Sequence, residues 1–201
     1  MLRIAAPNDY GASMIAPLAD KFARKYPACG VDLILSDTKI DLVADQIDLS
    51  IRVGWLNDSS LQARRIGSFR QLLVASRDLA ASVAADKPDE LASLPFIANG
   101  ALNEPLVWRF STNDFETRTV RMRQTIAINT TPAGLAAALA GGGPSDFQVA
   151  GHLKAGRLVH VLLSWSLPSG GIHVVYPAAH FRPPKVTAFV AMLSQEAKRS
   201  S

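Results

Sequence analysis

Three aliphatic runs open the chain, "LRIAA" (2–6), "VDLILS" (31–36) and "DLSIRVG" (48–54), and the two stretches between them carry helical character. This β-α-β-α-β alternation restricts the fold more than any other feature. Parallel strands cannot be joined by a tight hairpin, so each connection must cross over the sheet, and a helix covering one face is the usual crossover. The first crossover is amphipathic: Ile15, Leu18, Ala19, Phe22, Ala23 and Tyr26 recur at helical spacing, which predicts a helix over 11–26. Pro17 has no N–H to donate, so the helix kinks or begins there, and Tyr26-Pro27 ends it. "KIDLVADQI" reads as a second, short helix with Leu42, Val43 and Ile47 inward.

The rhythm then changes. "LQARRIGSFRQLLVAS" predicts two strands, 61–66 and 70–76, joined around Gly67-Ser68. "DLAASVAA" and "KPDELASL" read as short helical pieces, and "PFIANG" as a strand ending in a polar turn. "LVWRFS" and "TRTVRMRQTIAIN" read as strands, with Val120, Met122 and Gln124 opposing Arg121, Arg123 and Thr125. "TTPAGLAAALAGGG" is a helix with Pro132 in its first turn and a glycine stop, and "FQVAGHLKAG" is another. "RLVHVLL" and "GIHVVYP" are strands, and "PPKVTAFVAMLSQEAK" is a closing helix with Val186, Phe189, Val190 and Leu193 on one face. The first sheet needs cover on both faces, and the closing helix is the spare cover. The chain therefore returns to its first lobe at the end. The expected division is lobe I at 1–76 plus 171–201 and lobe II at 77–170, with ligand expected in the cleft between them.

Composition narrows the function. At 201 residues, 48% hydrophobic and 19% charged, the chain is long enough to bury a full core and shows no signature of disorder. No apolar run reaches the ~18 residues of a membrane span, and no signal-peptide pattern opens the chain. A single cysteine, Cys29, leaves no internal disulfide and fits a cytoplasmic location. The net charge of +4 is scattered, without the basic stripe that nucleic-acid binding needs.

The chemistry expected of an enzyme is not legible. No HExxH, CxxC, GxSxG or GxxxxGKS pattern occurs, so neither a metal nor a cofactor is called for. His152, His160, His173 and His180 are spread over unrelated elements and read as surface or core-edge residues. Asp9, Asp58 and His173 are the only candidate acid–base groups, and none has a visible partner. "GGGPSD" follows a helix instead of opening one and reads as a C-cap, not a phosphate cradle. Two polar turns are better candidates. Asn8-Asp9-Tyr10-Gly11-Ala12-Ser13 and Asn129-Thr130-Thr131 each sit between the end of a strand and the start of a helix. Helix capping explains such residues on its own; equally, free N–H donors and the positive end of a helix dipole suit a small acceptor-bearing molecule such as a carboxylate.

The order of these pieces resembles the effector-binding (regulatory) domain of LysR-type transcriptional regulators. "LRIAAP", "APLADKFARKYP", "VDLILSD" with "DLVADQIDLSIRVG", "DSSLQARRIG", "WRF", "AGRLVHVL" and "PPKVTAFVAML" follow one another as in that family, over nearly the whole chain. The resemblance implies two Rossmann-like α/β lobes joined by two crossovers, like a type 2 periplasmic binding protein, with a small-molecule effector between them. It implies ligand contacts from turn 8–13 (Asn8, Asp9, Tyr10, Ser13), from Ser59 and Ser60, from Asn99 and Gly100, and from Asn129, Thr130 and Thr131. It also implies a winged helix-turn-helix ahead of this domain, absent from this chain, as the route to DNA, and no role at a membrane. A homodimer is implied, with a tetramer for the full-length protein, in which Phe22, Arg24 or Lys25 approaches helix 132–141 of the mate. One stretch departs from the family: where relatives continue with a buried apolar strand, "GGGPSDFQVAG" lacks the apolar residues, so a strand of lobe II is shortened or residues are absent. A transport solute-binding protein of the same fold is the alternative, and an enzyme a third reading without an acid–base constellation.

Overall fold

The computed structural model describes all residues except 39, 57–61, 83–85, 142–148, 178–181 and 200–201, and the side chains of 198 and 199. The chain divides into two compact units, Met1–Phe69 with Gly170–Ser201, and Arg70–Ser169.

The first unit is built on a five-stranded sheet in the order β2-β1-β3-β11-β4. Its strands are β1 (Leu2–Ala6), β2 (Val31–Leu35), β3 (Leu49–Gly54), β4 (Gln62–Arg70) and, from the far end of the chain, β11 (Ser169–Tyr176). β1 pairs in parallel with β2 and β3, whereas β11 runs antiparallel to β3, with Val174 opposite Ile51. The crossover from β1 to β2 is helical from Asn8 to Lys25, in three pieces: α1 (Asn8–Tyr10), a π-helical turn (Gly11–Ile15) and α2 (Ala16–Lys25). The irregularity falls in the turn before Pro17. A proline N cannot complete the i→i−4 ladder, and the wider turn, with Ala16 N–H donating to Gly11 O, absorbs the defect. The closing helix, α6 (Pro184–Arg199), lies on α2, where the Phe22 and Phe189 rings meet edge-on at 5.4 Å. On the other face Ala5 and Val175 pack with Leu42 and Ile47.

Two readings of this unit are corrected. In "KIDLVADQI" the described residues, 40–47, hold a run of turns and not a helix. Asp41 Oδ1 accepts the N–H groups of Val43 and Ala44, at 2.9 and 3.1 Å, as an N-cap does, and Asp45 N–H donates to Asp41 O at 3.0 Å, but the ladder stops after this turn: Gln46 sits at φ 53° and Ile47 N–H turns back to Leu42 O. Leu42 and Ile47 are buried, but Val43 is 73% exposed. Gly67-Ser68 is not a hairpin tip either. β4 runs straight through it as the neighbour of β11, with Gly67 beside Ile172.

The second unit holds three two-stranded ladders among the described residues. β6 (Pro95–Asn99) pairs in parallel with β9 (Arg123–Ile128), β5 (Val74–Ser76) with β10 (Leu158–His160), and β7 (Val107–Ser111) with β8 (Thr117–Arg121). β5, read from sequence as part of lobe I, thus pairs within this unit. "TRTVRMRQTIAIN" breaks into two strands at Met122, which is buried and whose N–H donates to Leu106 O. Gln124 is exposed, contrary to its expected alternation. α3 (Arg77–Ser82), a 3-10 turn (Pro88–Ser93), α4 (Thr131–Leu139) and α5 (Ala150–Lys154) complete the unit. One core gathers Phe96, Phe110, Val120, Met122 and Trp165, and a second joins Val74, Ile97, Ala138 and Leu158 beneath α4.

Candidate functional site

Each unit presents a polar turn where two parallel strands end side by side. In the first unit β1 ends at Ala6 opposite Leu35 of β2. Asn8, Asp9, Tyr10 and Ser13 follow from β1, and Asp37 follows from β2. Asn8 N–H donates to Asp37 Oδ1 at 2.8 Å, Tyr10 N–H to Asp9 Oδ1 at 2.6 Å, Gly11 N–H to Pro7 O at 2.7 Å, and the Ser13 hydroxyl to Asp9 O at 2.8 Å. Three of the first N–H donors of this helical segment are therefore occupied within the chain, two of them by carboxylates. Asp9 is 7% exposed, and Asp37 Oδ2 is buried without a hydrogen-bond partner. Burial also raises the Tyr10 phenol above its usual pKa. This turn carries more negative charge than a bare helix N-terminus. Sequence reading missed Asp37; the signal was its position just past the end of the strand that pairs with β1.

In the second unit β6 and β9 end together, Asn99 opposite Ile128. Gly100 N–H donates to Ile128 O at 2.6 Å, and Asn99 Oδ1 accepts from Ala101 N–H at 3.0 Å. The parallel pairing thus brings Asn99 and Gly100 beside Asn129, Thr130 and Thr131, which lead into α4. Thr130 is the N-cap, and its Oγ1 accepts from Ala133 N–H at 3.4 Å. Asn129 is exposed, while Thr130 and Thr131 are half-buried. Gly134, one turn on, is buried where a Cβ would strike Ile128 Cδ1, so α4 sits close against the end of β9. No carboxylate hydrogen-bonds to this turn among the described residues. The two remaining expected contacts, Ser59 and Ser60, lie outside the described residues.

The acid–base candidates do not form a constellation. Asp9 Oδ1 accepts the Tyr10 N–H, Asp58 lies outside the described residues, and His173 pairs in register with Arg52 on β3. No group of three or more His, Cys, Asp or Glu among the described residues is placed to hold a metal ion. No helix among them is long and apolar enough to cross a membrane.

Comparison with known proteins identifies the family and the fold. Residues 1–198 match the LysR substrate binding domain. The chain is 36% identical over 202 residues to the HTH-type transcriptional regulator PtxR of Pseudomonas aeruginosa, covering 98% of this chain and 64% of that protein. It is 30% identical over 200 residues to an HTH-type transcriptional regulator of Xanthomonas campestris pv. campestris, covering 96% of this chain and 58% of that one. The chain therefore spans less than two thirds of the length of these relatives. Among solved structures, the full-length Vibrio cholerae virulence activator AphB, a member of the LTTR protein family, superposes with a TM-score of 0.81 at 27% identity, over 98% of this chain and 68% of that one. The regulatory domain of CrgA from Neisseria meningitidis shares the fold, with a TM-score of 0.79 at 24% identity over 98% of each chain. These relatives are transcriptional regulators, which are not enzymes, and the alternative of a transport solute-binding protein is set aside. The chain belongs to the LysR substrate binding domain family, the effector-binding domain of LysR-type transcriptional regulators.

Proposed function

We propose that this domain senses a small acceptor-bearing molecule, a carboxylate being the leading candidate, and so controls DNA binding by a helix-turn-helix segment of a longer chain. The HTH designation of the relatives, and the share of their length this chain spans, support the second half of that reading. The proposed ligand contacts are Asn8, Asp9, Tyr10 and Ser13 in the first unit, Asn99, Gly100, Asn129, Thr130 and Thr131 in the second, and Ser59 and Ser60. One observation carries the ligand assignment: five of these residues gather at the shared end of β6 and β9, where Asn129 is exposed and Thr130 and Thr131 half-buried. The acceptor group of the ligand belongs at this second turn. At the first, Asp9 and Asp37 already accept N–H donors and would repel an anion. That first turn suits a hydroxyl or ammonium instead.

A thermal-shift panel of small aromatic and aliphatic carboxylates tests the reading. A stabilising ligand whose effect grows with concentration is expected, because a molecule that binds only the folded state raises Tm by mass action. If no carboxylate does so and a neutral or cationic molecule does, the assignment of the acceptor group is wrong. Sequence-specific DNA binding by residues 1–201 alone at moderate salt would overturn the assignment of DNA contact to another segment.

The protein is further proposed to act in the cytoplasm and to form a homodimer, with tetramers in the full-length protein. Phe22 drops out of the expected contact set, since it is 1% exposed and packed on Phe189. Arg24 and Lys25 are exposed on α2. The strand β9 is exposed from Arg123 to Ala127, including Ile126 at 45%, beside an α4 on which only Gly134 and Ala138 are buried. Exposed β-branched surface on a sheet-edge strand favours a partner. Sedimentation equilibrium of the parent and of Ile126→Glu checks the pairing: a dimer that dissociates in the variant is expected, and a parent that is strictly monomeric at micromolar concentration refutes it.

A further inference from the structure

The ladder of β5 and β10 ends with Ser76 opposite Leu158, and the residues just beyond that pair are both arginines, Arg77 and Arg157. Like charges at facing strand positions lower stability. Two contacts nonetheless hold them there. Arg157 Nε donates to His152 Nδ1 at 3.2 Å and Arg157 N–H to His152 O at 3.0 Å, which fixes the residue to α5. Arg77 lies across Gly156, where a Cβ would meet its Nη2 at 2.6 Å; Gly156 also sits at φ +65°, which favours glycine. Lys154, in the last turn of α5, adds a further positive charge. The carbonyl end of α5 attracts His152 and Lys154, but Arg77 opens α3, and a helix start disfavours a cation.

The cluster has donors and no acid. Arg77 has no hydrogen-bond or ion-pair partner among the described residues, so its whole guanidinium fork is free. Arg157 uses only Nε, which leaves both Nη groups. With Nδ1 accepting, the His152 ring carries its proton on Nε2, a donor from a third direction. Asp78, next to Arg77 in the chain, forms no ion pair with any of these groups. Arg77, Lys154 and Arg157 are exposed and His152 is half-buried, so a solute can reach them.

We propose that Arg77, His152, Lys154 and Arg157 bind a dianionic phosphate group, either inorganic phosphate or the monoester of a small molecule. Such a group brings nearly two negative charges and several strong acceptor oxygens, which matches two guanidinium forks and an imidazole N–H. A carboxylate has one charge and its oxygens lie in one plane, so it serves one fork and leaves the second arginine uncompensated. A phosphodiester, as in a nucleic-acid backbone, also has a single charge. The bound anion removes the repulsion between Arg77 and Arg157 and ties the start of α3 to the turn after α5. The cluster lies within the second unit and shares no residue with the proposed effector contacts, so it stands apart from that reading.

Sodium phosphate is the probe, titrated into the ¹⁵N-labelled whole chain at about pH 7.5, above the second pKa of a phosphate monoester. Sodium chloride is lowered in step to keep the ionic strength constant, because exposed charges are screened by salt. The expected result is a saturable shift of the Arg77, Gly156 and Arg157 amide signals. Phenyl phosphate, a monoester, should shift the same signals, and dimethyl phosphate, a diester, should bind more weakly. Arg77→Gln and Arg157→Gln should each weaken phosphate about tenfold, the worth of a hydrogen bond to a charged group. Arg77→Gln removes an exposed side chain without a partner, so its Tm without phosphate should be no lower than the parent's. Shifts that stay linear throughout the titration, shifts centred on other residues, or parent-like affinity in Arg77→Gln overturn the proposal. Dimethyl phosphate binding as tightly as phenyl phosphate overturns the choice of a dianion and assigns the cluster to a nucleic-acid backbone instead.

Discussion

Lys185 Nζ lies 2.6 Å from Asp48 Oδ2, joining the closing helix to the residue just ahead of β3, 137 positions earlier in the chain. The same carboxylate oxygen accepts the Arg3 N–H at 2.8 Å, so one side chain ties β1, β3 and α6 together. Loss of Asp48 leaves the Arg3 N–H without its acceptor and Lys185 with only the Met1 carbonyl, at 2.6 Å, while loss of Lys185 leaves Asp48 still bonded to Arg3. Asp48→Ala is expected to cost about 2–3 kcal/mol in urea unfolding. Lys185→Ala should cost about 1 kcal/mol, since both side chains are partly exposed and water screens the pair. Equal costs would show that the backbone bond to Arg3 contributes nothing.

Thr130 Oγ1 receives the Ala133 N–H and is the sole side-chain N-cap bond of α4. Thr130→Ala is expected to lower stability by about 1 kcal/mol, whereas Thr130→Ser, which keeps the capping hydroxyl, should not lower it, as read from denaturant midpoints. The helix is alanine-rich and buries only Gly134 and Ala138, so packing compensates little for the lost cap.

The first three strands and the first helix were legible because parallel strands covered on both faces must be apolar along their length, and a helix between them must be amphipathic. β1, β2 and β3 fall within the predicted runs. The return of the chain to its first sheet was legible for a related reason: a sheet left bare on one face requires cover, and Phe189 and Leu193 are fully buried in that role. What failed was local. The apolar spacing of Leu42, Val43 and Ile47 imitates a helix, but the single turn that Asp41 caps ends at Gln46, whose positive φ breaks the ladder. Gly67-Ser68 has turn composition, yet the chain stays extended there because β4 lies beside β11, more than a hundred residues away. The site was half legible. Asn99 and Asn129 could be grouped once β6 and β9 were taken as parallel neighbours, whereas Asp37 enters through a pairing that reads as nothing special in one dimension.

His173 and His160 predict the response to pH. Burial lowers the His173 pKa and the neighbouring Arg65 charge adds to it, with a bond to the Gly171 backbone opposing; burial alone lowers His160. An imidazole whose folded pKa lies below its ordinary 6.5 is protonated more readily in the unfolded chain, so the unfolded state binds more protons in that window. Stability should therefore be highest above the ordinary value and fall as the pH drops through it. His173→Gln removes one such group. Denaturant midpoints taken from about pH 7.5 to about pH 5 should fall less steeply in the variant than in the parent. A variant with the same slope would show that His173 titrates alike folded and unfolded.

The hydroxyls of Thr130 and Thr131 separate capping from ligand binding. A hydroxyl that accepts one hydrogen bond still has its own proton to donate. Thr130 Oγ1 already accepts from Ala133, which leaves its O–H for an acceptor outside the helix, but its removal also damages α4. Thr131, one residue inside the helix and half-buried, has no capping bond to lose. Thr131→Val keeps the branched shape and deletes only the hydroxyl. If that hydroxyl donates to the carboxylate of an effector, affinity should fall by about 1–3 kcal/mol, or roughly 5- to 150-fold in Kd, with unfolding unchanged. Thr130→Ser should bind like the parent, because it retains both cap and donor. Isothermal titration with whichever carboxylate stabilises the parent reads both variants directly. Equal Kd values for the parent and Thr131→Val would remove that hydroxyl from the contact set and shift the acceptor group to Asn99, Asn129 or the Thr130 hydroxyl at the same strand ends.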